Sequence, residues 1–177
     1  MTRLLMEQCR FYDHIVHLGD GIKTGLAGSL NTKLQMKSIL FFTEDIDFKL
    51  KEKGKIRQWI TDAIKGEGFK RVGELSFILC SDAYLLEINK EYLNHDTYTD
   101  IVTFDSSEDE DTIAGDIFIS VERIQENAQK FKVDERDELH RVIIHGVMHL
   151  CGYPDKKPAD KAKMTAKEDE YLGKRNF

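Results

Sequence analysis

The stretch Leu139-His-Arg-Val-Ile-Ile-His-Gly-Val-Met-His-Leu150 constrains this chain most, because its pattern demands a helix and its composition demands burial. Leu139, Val142, Ile143, Gly146, Val147 and Leu150 form one apolar stripe at helical spacing, and Ile144 and Met148 cover the other side. A helix apolar on both sides belongs inside a fold. Asp134 is its predicted N-cap. Histidines flanking such a helix need partners. His145 and His149 are four residues apart, so they stand about a turn apart on one face and can grip one ion. Gly152 is the residue type that ends a helix in the left-handed conformation and turns the chain back on itself. Asp155, three residues on, then closes the set from the opposite side. Two imidazoles and a carboxylate that leave a position open describe a catalytic zinc site better than a closed structural one.

The spacing overlays the peptidase pattern H-E-x-x-H-x-x-G-x-x-H, with Asp in the last place and Gly146 where the pattern has Glu. The chain therefore keeps the metal ligands and lacks the peptidase's usual general base. A metal-generated hydroxide makes that loss tolerable for phosphodiester chemistry. Peptide cleavage tolerates it less, because a base must carry a proton to the leaving amine. His140 lies on a different face and reads as a surface histidine or one that supports a ligand. Cys151 is on the wrong face to share the metal of His149 and reads as a packed thiol.

The rest of the chain alternates between strands and helices. Met36 opens Lys37-Ser-Ile-Leu-Phe-Phe42, a first strand. Ile56, Trp59, Ile60, Ala63 and Ile64 make a helical stripe over roughly 49–66, ending at Gly66. Glu74–Cys80 is a largely apolar and therefore central strand, and Ser81 caps a helix with Leu85, Ile88 and Tyr92 on its core face. Asp100–Phe104 and Ile113–Ile119 are two more strands, joined across the acidic run Glu108–Asp111 as an antiparallel hairpin. That run reads as a solvated loop. Ser120 caps a helix facing the core with Val121, Ile124, Ala128 and Phe131. Thr165-x-x-Glu168 is a capping-box pattern opening a terminal helix. These elements predict an α+β fold, an α/β sandwich of one mixed sheet of about four strands packed with helices, with the metal site at the end of a buried helix.

Residues 1–35 differ from the rest, with four of the twelve glycines, no sustained helical stripe and no strand alternation. They read as a poorly ordered N-terminal extension, with Met36 as the functional start and 36–177 as a single metallohydrolase domain. No apolar run approaches the about 20 residues that cross a bilayer, and Met1-Thr-Arg-Leu-Leu-Met lacks the apolar stretch of a secretion signal. Cys9, Cys80 and Cys151 are odd in number and scattered, as in a reducing compartment; the expected location is cytoplasmic. The net charge of −6 counts against a generic nucleic-acid binder, and DNA is not expected as a partner. An RNA contact must then use a local patch. Lys156, Lys157, Lys161 and Lys163 follow the metal loop, and Arg136 and Arg141 lie on its helix. Lys156, Lys157 and Arg141 are the candidate substrate contacts; a lysine-rich solvated turn accounts for the cluster equally well.

Three blocks resemble the YbeY family of bacterial ribosomal-RNA maturation factors, described as metal-dependent endoribonucleases. They are Glu91-Tyr-Leu-Asn-His-Asp-Thr-Tyr-Thr-Asp-Ile-Val-Thr-Phe104, then Ala114-Gly-Asp-Ile-Phe-Ile-Ser120 followed by the helix bearing Asn127 and Ala128, and then Leu139–Tyr153. The resemblance runs from about Phe42 to Leu172. Two positions depart from it: Asp155 stands where the family usually has a third His, and Leu93 where it usually has an Arg. An Asp oxygen is an acceptable zinc ligand, though a harder one that broadens metal choice. An Arg would stabilise charge on a phosphate. The resemblance implies a metal-dependent, single-strand-specific endoribonuclease acting in small-subunit (16S) rRNA 3′-end processing and ribosome maturation. It further implies one zinc ion per chain, ribosomal RNA and the ribosomal small subunit as partners, and no membrane. Two alternatives stay open: a metallopeptidase-like hydrolase, from the spacing, and a non-catalytic ribosome-assembly factor with a structural metal, from Leu93. The resemblance places Thr99, Asp100 and Thr103 of the first block near the site, to orient a substrate or the groups behind the ligands, but they read first as turn and strand-start residues. No catalytic base is assigned.

Overall fold

Strand alternation in the middle of the chain decides the architecture. In the computed structural model, which describes residues 38–177, β1 (Ile39–Thr43), β2 (Arg71–Cys80), β3 (Ile101–Asp105) and β4 (Thr112–Ser120) form one sheet in the order β1-β2-β4-β3. β1 and β4 run parallel to β2, and β3 runs antiparallel to β4 as the predicted hairpin. Lys70 and Arg71 pair with Asp111 and Asp109 at the base of the acidic loop, which makes that loop a charge-matched turn. The expectations placed on residues 1–35, and the opening of the first strand at Met36 and Lys37, lie outside the described residues.

Among the described residues five helices pack around the sheet: α1 (Lys53–Gly66), α2 (Asp82–Leu93), α3 (Val121–Phe131), α4 (Glu135–Leu150) and α5 (Pro158–Gly173). Leu75, Phe77, Leu79, Ile113, Ile117 and Ile119 alternate onto one face, where they join Ile56, Trp59 and Ile60 of α1 and the apolar side chains of α4 in the main core. On the opposite face Tyr92 of α2, Phe104 and Phe118 stack edge to face, with ring centroids 5.5 and 5.9 Å apart. Ser81, Ser120 and Asp134 cap α2, α3 and α4 through their side chains, as the sequence predicts.

Four expectations need correction. Helix α1 starts at Lys53 rather than near residue 49, because Leu50 enters the core from a non-helical segment and Glu52 takes a left-handed conformation with φ of 53°. Phe131 does not face the core: it lies in the last turn of α3 and is 58% exposed. The terminal helix does not open at Thr165. It begins at Pro158, whose missing N–H costs nothing at the first helical position, and Thr165 and Glu168 lie inside it. His140 is neither a surface residue nor a support for a ligand. It is buried between Trp59 and Phe177, at ring-centroid distances of 5.7 and 5.4 Å, and accepts a hydrogen bond at Nδ1 from Arg175.

The buried His140 ring makes a prediction. Burial, and then the charges of Arg175 and Arg136, hold its pKa down to about 4. The unfolded ring titrates near 6.5, so between these values the unfolded chain binds the proton that the fold refuses. Stability from this group is therefore complete above about pH 6.5 and falls as the pH drops toward 4, by at most about 1.4 kcal/mol per pH unit. Urea melts at pH 7 and pH 5 should show an extra acid loss in the wild type that is absent in His140→Asn. Equal acid losses would mean that His140 titrates as it does in the open chain.

Candidate metal centre

Helix α4 ends in a turn that assembles most of the site locally. Gly152 adopts φ of 91°, in the left-handed region that glycine accepts without strain. Its N–H donates to the His149 carbonyl at 2.9 Å, and the Tyr153 N–H donates to the Met148 carbonyl at 3.0 Å. This pair of bonds is the Schellman closure of a helix. It also returns the Tyr153 carbonyl to the helix end, where it accepts a hydrogen bond from His149 Nδ1 at 2.9 Å. The turn thus fixes the ring that precedes it.

His145 is fixed from farther away. Its Nδ1 donates to Glu168 Oε1 of α5 at 2.7 Å, and Arg141 binds the other oxygen of Glu168 at 2.9 Å and Asp169 at 3.2 Å. Burial opposes the charge of the His145 ring, but Glu168 outweighs it and holds the pKa above that of an ordinary histidine. His149 goes the other way: burial, and then the neighbouring His145, hold its pKa below the usual value. Burial also works against the Glu168 carboxylate, yet His145 and Arg141 keep its pKa below the usual range.

With both Nδ1 atoms engaged, the two Nε2 atoms are left as acceptors, and they converge. Each lies 3.9 Å from Asp155 Oδ2, and the three candidate ligand atoms lie within 4.8 Å of one another. Two ligands each about 2.1 Å from a common ion stand at most about 4.2 Å apart, so the two His–Asp separations suit a single ion. The rings meet nearly perpendicular, at 86°. The donor set is one that zinc accepts, with each imidazole oriented by a carboxylate or carbonyl behind it.

The remaining sequence candidates take different places. Arg141 is engaged by Glu168 and Asp169, so it holds the residue behind His145. Lys156 and Lys157 lie exposed in the loop after Asp155, with Lys161 and Lys163 exposed on the first turns of α5. Asp100 accepts a hydrogen bond from Asn127 at 3.3 Å, and its charge acts on His145. Cys151 is half-buried away from the ligand cluster, with burial pushing its thiol up to about 12.

Two contributors were not anticipated. Glu168 was read as part of a capping box, and Glu67 carried no signal at all. Glu67, at the end of α1, accepts hydrogen bonds from the Tyr153 hydroxyl at 2.6 Å, from Lys167 at 2.9 Å and from the Tyr171 hydroxyl. It ties the metal loop to α1 and α5. Only the chemistry of a ligating histidine, which needs a partner at its second nitrogen, pointed to groups of this kind.

Gly146 turns toward the sheet. A Cβ there would stand 2.7 Å from Ile101 Cδ1 and 3.0 Å from Ile117 Cγ2, closer than side-chain carbons pack. A glutamate here, the general base of the peptidase pattern, would have to displace Ile101 and Ile117.

An α+β domain with a His-His-Asp cluster at the end of a buried helix defines a candidate metallohydrolase. The chain belongs to the endoribonuclease YbeY family, whose model matches residues 39–176. An endoribonuclease YbeY of Cytophaga hutchinsonii is 46% identical over 144 residues, covering 81% of this chain and 100% of that protein. One from Flavobacterium psychrophilum is 51% identical over 134 residues, covering 76% and 94%. The solution structure of TM1509 from Thermotoga maritima is similar with a TM-score of 0.54 and 26% identity, covering 76% of this chain and 86% of that one.

The Gly146 contact yields a prediction. Alanine is the better helix former by up to about 1 kcal/mol, but overpacking a core costs about 1–3 kcal/mol. Gly146→Ala should therefore lower stability in a denaturant melt despite its propensity. A stabilised variant would show that α4 can lift from Ile101 and Ile117 without cost.

Proposed function

We propose that this chain is a metal-dependent, single-strand-specific endoribonuclease, with one zinc ion held by His145, His149 and Asp155. We further propose that it acts in 16S rRNA 3′-end processing and ribosome maturation, on the small ribosomal subunit in the cytoplasm. The observation that carries this reading is the convergence of both Nε2 atoms on Asp155, with both Nδ1 atoms already tied. The name shared by the relatives supplies the substrate class. Among the described residues no helix is long and apolar enough to cross a membrane.

A zinc ion bound there supplies Lewis acidity toward a phosphoryl oxygen and lowers the pKa of water to about 7. The chain's own residues prepare for it. Glu168 and the Tyr153 carbonyl hold the Nδ1 protons, which presents each Nε2 lone pair to the ion and keeps the rings from turning. Asp155 adds an anionic oxygen from the loop. Position 146 offers no carboxylate to carry a proton to a leaving amine, which favours a phosphodiester over a peptide.

Purified protein should contain about one transition-metal ion per chain by elemental analysis and cleave single-stranded RNA in preference to duplex. Chelation, His149→Ala and Asp155→Ala should each abolish both properties, and Glu168→Gln should weaken metal binding by roughly 10–100-fold. Cleavage that survives chelator or His149→Ala would remove the metal from the reaction. Proteolysis in place of RNA cleavage would favour the peptidase reading.

The lysines after the metal loop generate a separate expectation. Lys156, Lys157, Lys161 and Lys163 are exposed and none forms an ion pair with a described residue. Each phosphate contact on a single strand contributes a slope of about −0.7 in log affinity against log salt. Replacing all four by Gln should weaken RNA binding and flatten that slope with metal content unchanged. An unaltered slope would place the RNA on another face.

A further inference from the structure

Tyr98 is 58% exposed, yet it stands in a loop held from several sides. The buried Asn89 side chain donates to the Thr97 carbonyl at 2.8 Å, and the His95 N–H donates to the Asn89 carbonyl at 3.2 Å. On the far side of Tyr98, the Ser120 N–H donates to the Asp100 carbonyl at 3.0 Å. Beneath the ring lies Arg123 of α3, with Cζ 4.8 Å from the ring centroid. Arg123 is itself fixed by Asp82, at 2.6 Å, and Glu126, at 2.7 Å. Those two carboxylates occupy its guanidinium, so it serves the ring as a rigid floor and has little charge to offer a phosphate. One face of Tyr98 is thus backed by a cation and the rest of the ring is largely open to water.

Position relates this ring to the metal centre. Arg123 and Asn127 are one turn apart on α3, and they contact Tyr98 and Asp100 respectively. Tyr98 and Asp100, two residues apart in sequence, thus lie against successive turns of the same helix. Ile101, beside Asp100, packs its Cδ1 2.7 Å from where a Cβ on Gly146, beside His145, would stand, so the end of this loop lies against the helix that carries the histidines.

We propose that Tyr98, backed by Arg123, is a stacking platform for one base of a single-stranded RNA, next to the nucleotide whose phosphate reaches the metal centre. This rests on the endoribonuclease reading. Every base presents a π-face, so the platform selects unpaired over paired RNA without selecting sequence. Its ring and floor are ordered before the ligand arrives, which removes an ordering cost from binding.

The test measures affinity of the full, metal-loaded chain for a nuclease-resistant 2′-O-methyl phosphorothioate single strand by fluorescence anisotropy. Tyr98→Ala should raise Kd by roughly 5- to 150-fold, the range one stacked base commands. Tyr98→Phe, which keeps the ring, should remain within about twofold of wild type. Affinity for the same sequence as a duplex should not change in Tyr98→Ala, and its thermal midpoint and metal content should match wild type. Equal binding by wild type and Tyr98→Ala overturns the platform alone, as does an equal loss in Tyr98→Phe or on the duplex. A wild-type chain that loads metal but binds no single strand overturns the nuclease reading together with the platform.

Discussion

The approach of α4 to the β3–β4 hairpin at Gly146 is the contact on which the site depends, because it sets how deep the helix lies and how it is rotated. With no side chain at that position, the helix backbone settles against Ile101 and Ile117. Residues one apart on a helix are turned about 100° from each other. Placing 146 against the sheet therefore swings His145 and His149 to the flank, toward α5 and the returning loop. The same contact removes the carboxylate that a peptidase would place there. Packing and chemistry are coupled at one residue: a Glu at 146 would have to displace the side chains of Ile101 and Ile117 on which the helix rests.

The polar groups behind the ligands arrive by two routes of different reach. His149 is oriented by the turn that follows it, through hydrogen bonds spanning only a few residues. His145 depends on α5, through Glu168 held by Arg141. Glu67 joins the two routes. Burial opposes its charge, but hydrogen bonds from Tyr153, Tyr171 and Lys167 outweigh that and hold its pKa below the usual carboxylate range. Tyr153 thereby serves twice, its carbonyl holding His149 and its hydroxyl anchored to the end of α1. Trp59 of α1 donates to the Tyr171 carbonyl at 2.8 Å and ties the same helices together on the core side. The loop bearing Asp155 is thus anchored to α1, remote from it in sequence, and to the far turns of the helix that follows it.

This division of reach explains what could be read from residues alone. The strands, the three side-chain caps, the hairpin and the buried α4 were legible because each rests on spacing within a dozen residues. The candidate cluster was legible for the same reason: His145, His149, Gly152 and Asp155 belong to one helix and its closing turn. Glu168 is 23 residues from His145, and its spacing from Thr165 imitates a capping box, so local pattern pointed the wrong way. Pro158, a residue suited to the first turn of a helix, was the better marker of where α5 begins. Phe131 and His140 show another limit. Helical period tells which direction a side chain points, but only the neighbouring elements determine whether anything lies there. Phe131 stays largely exposed, while Trp59 and Phe177 close over His140.

Net charge illustrates the same gap between sequence sums and local physics. A chain of −6 reads as a poor partner for a polyanion, but the sum does not say where its charges lie. Glu67, Asp82, Asp109, Asp111, Glu168 and Asp169 each face a cation within the fold. Lys156, Lys157, Lys161 and Lys163 have no such partner among the described residues, and all four follow Asp155 within eight positions of sequence. At physiological salt a charge is felt over about 8 Å, so the rim of the metal loop experiences its own lysines far more than the acidic total. The loop after Asp155 therefore carries a local positive field, from lysines without ion-pair partners among the described residues, that the acidic total hides.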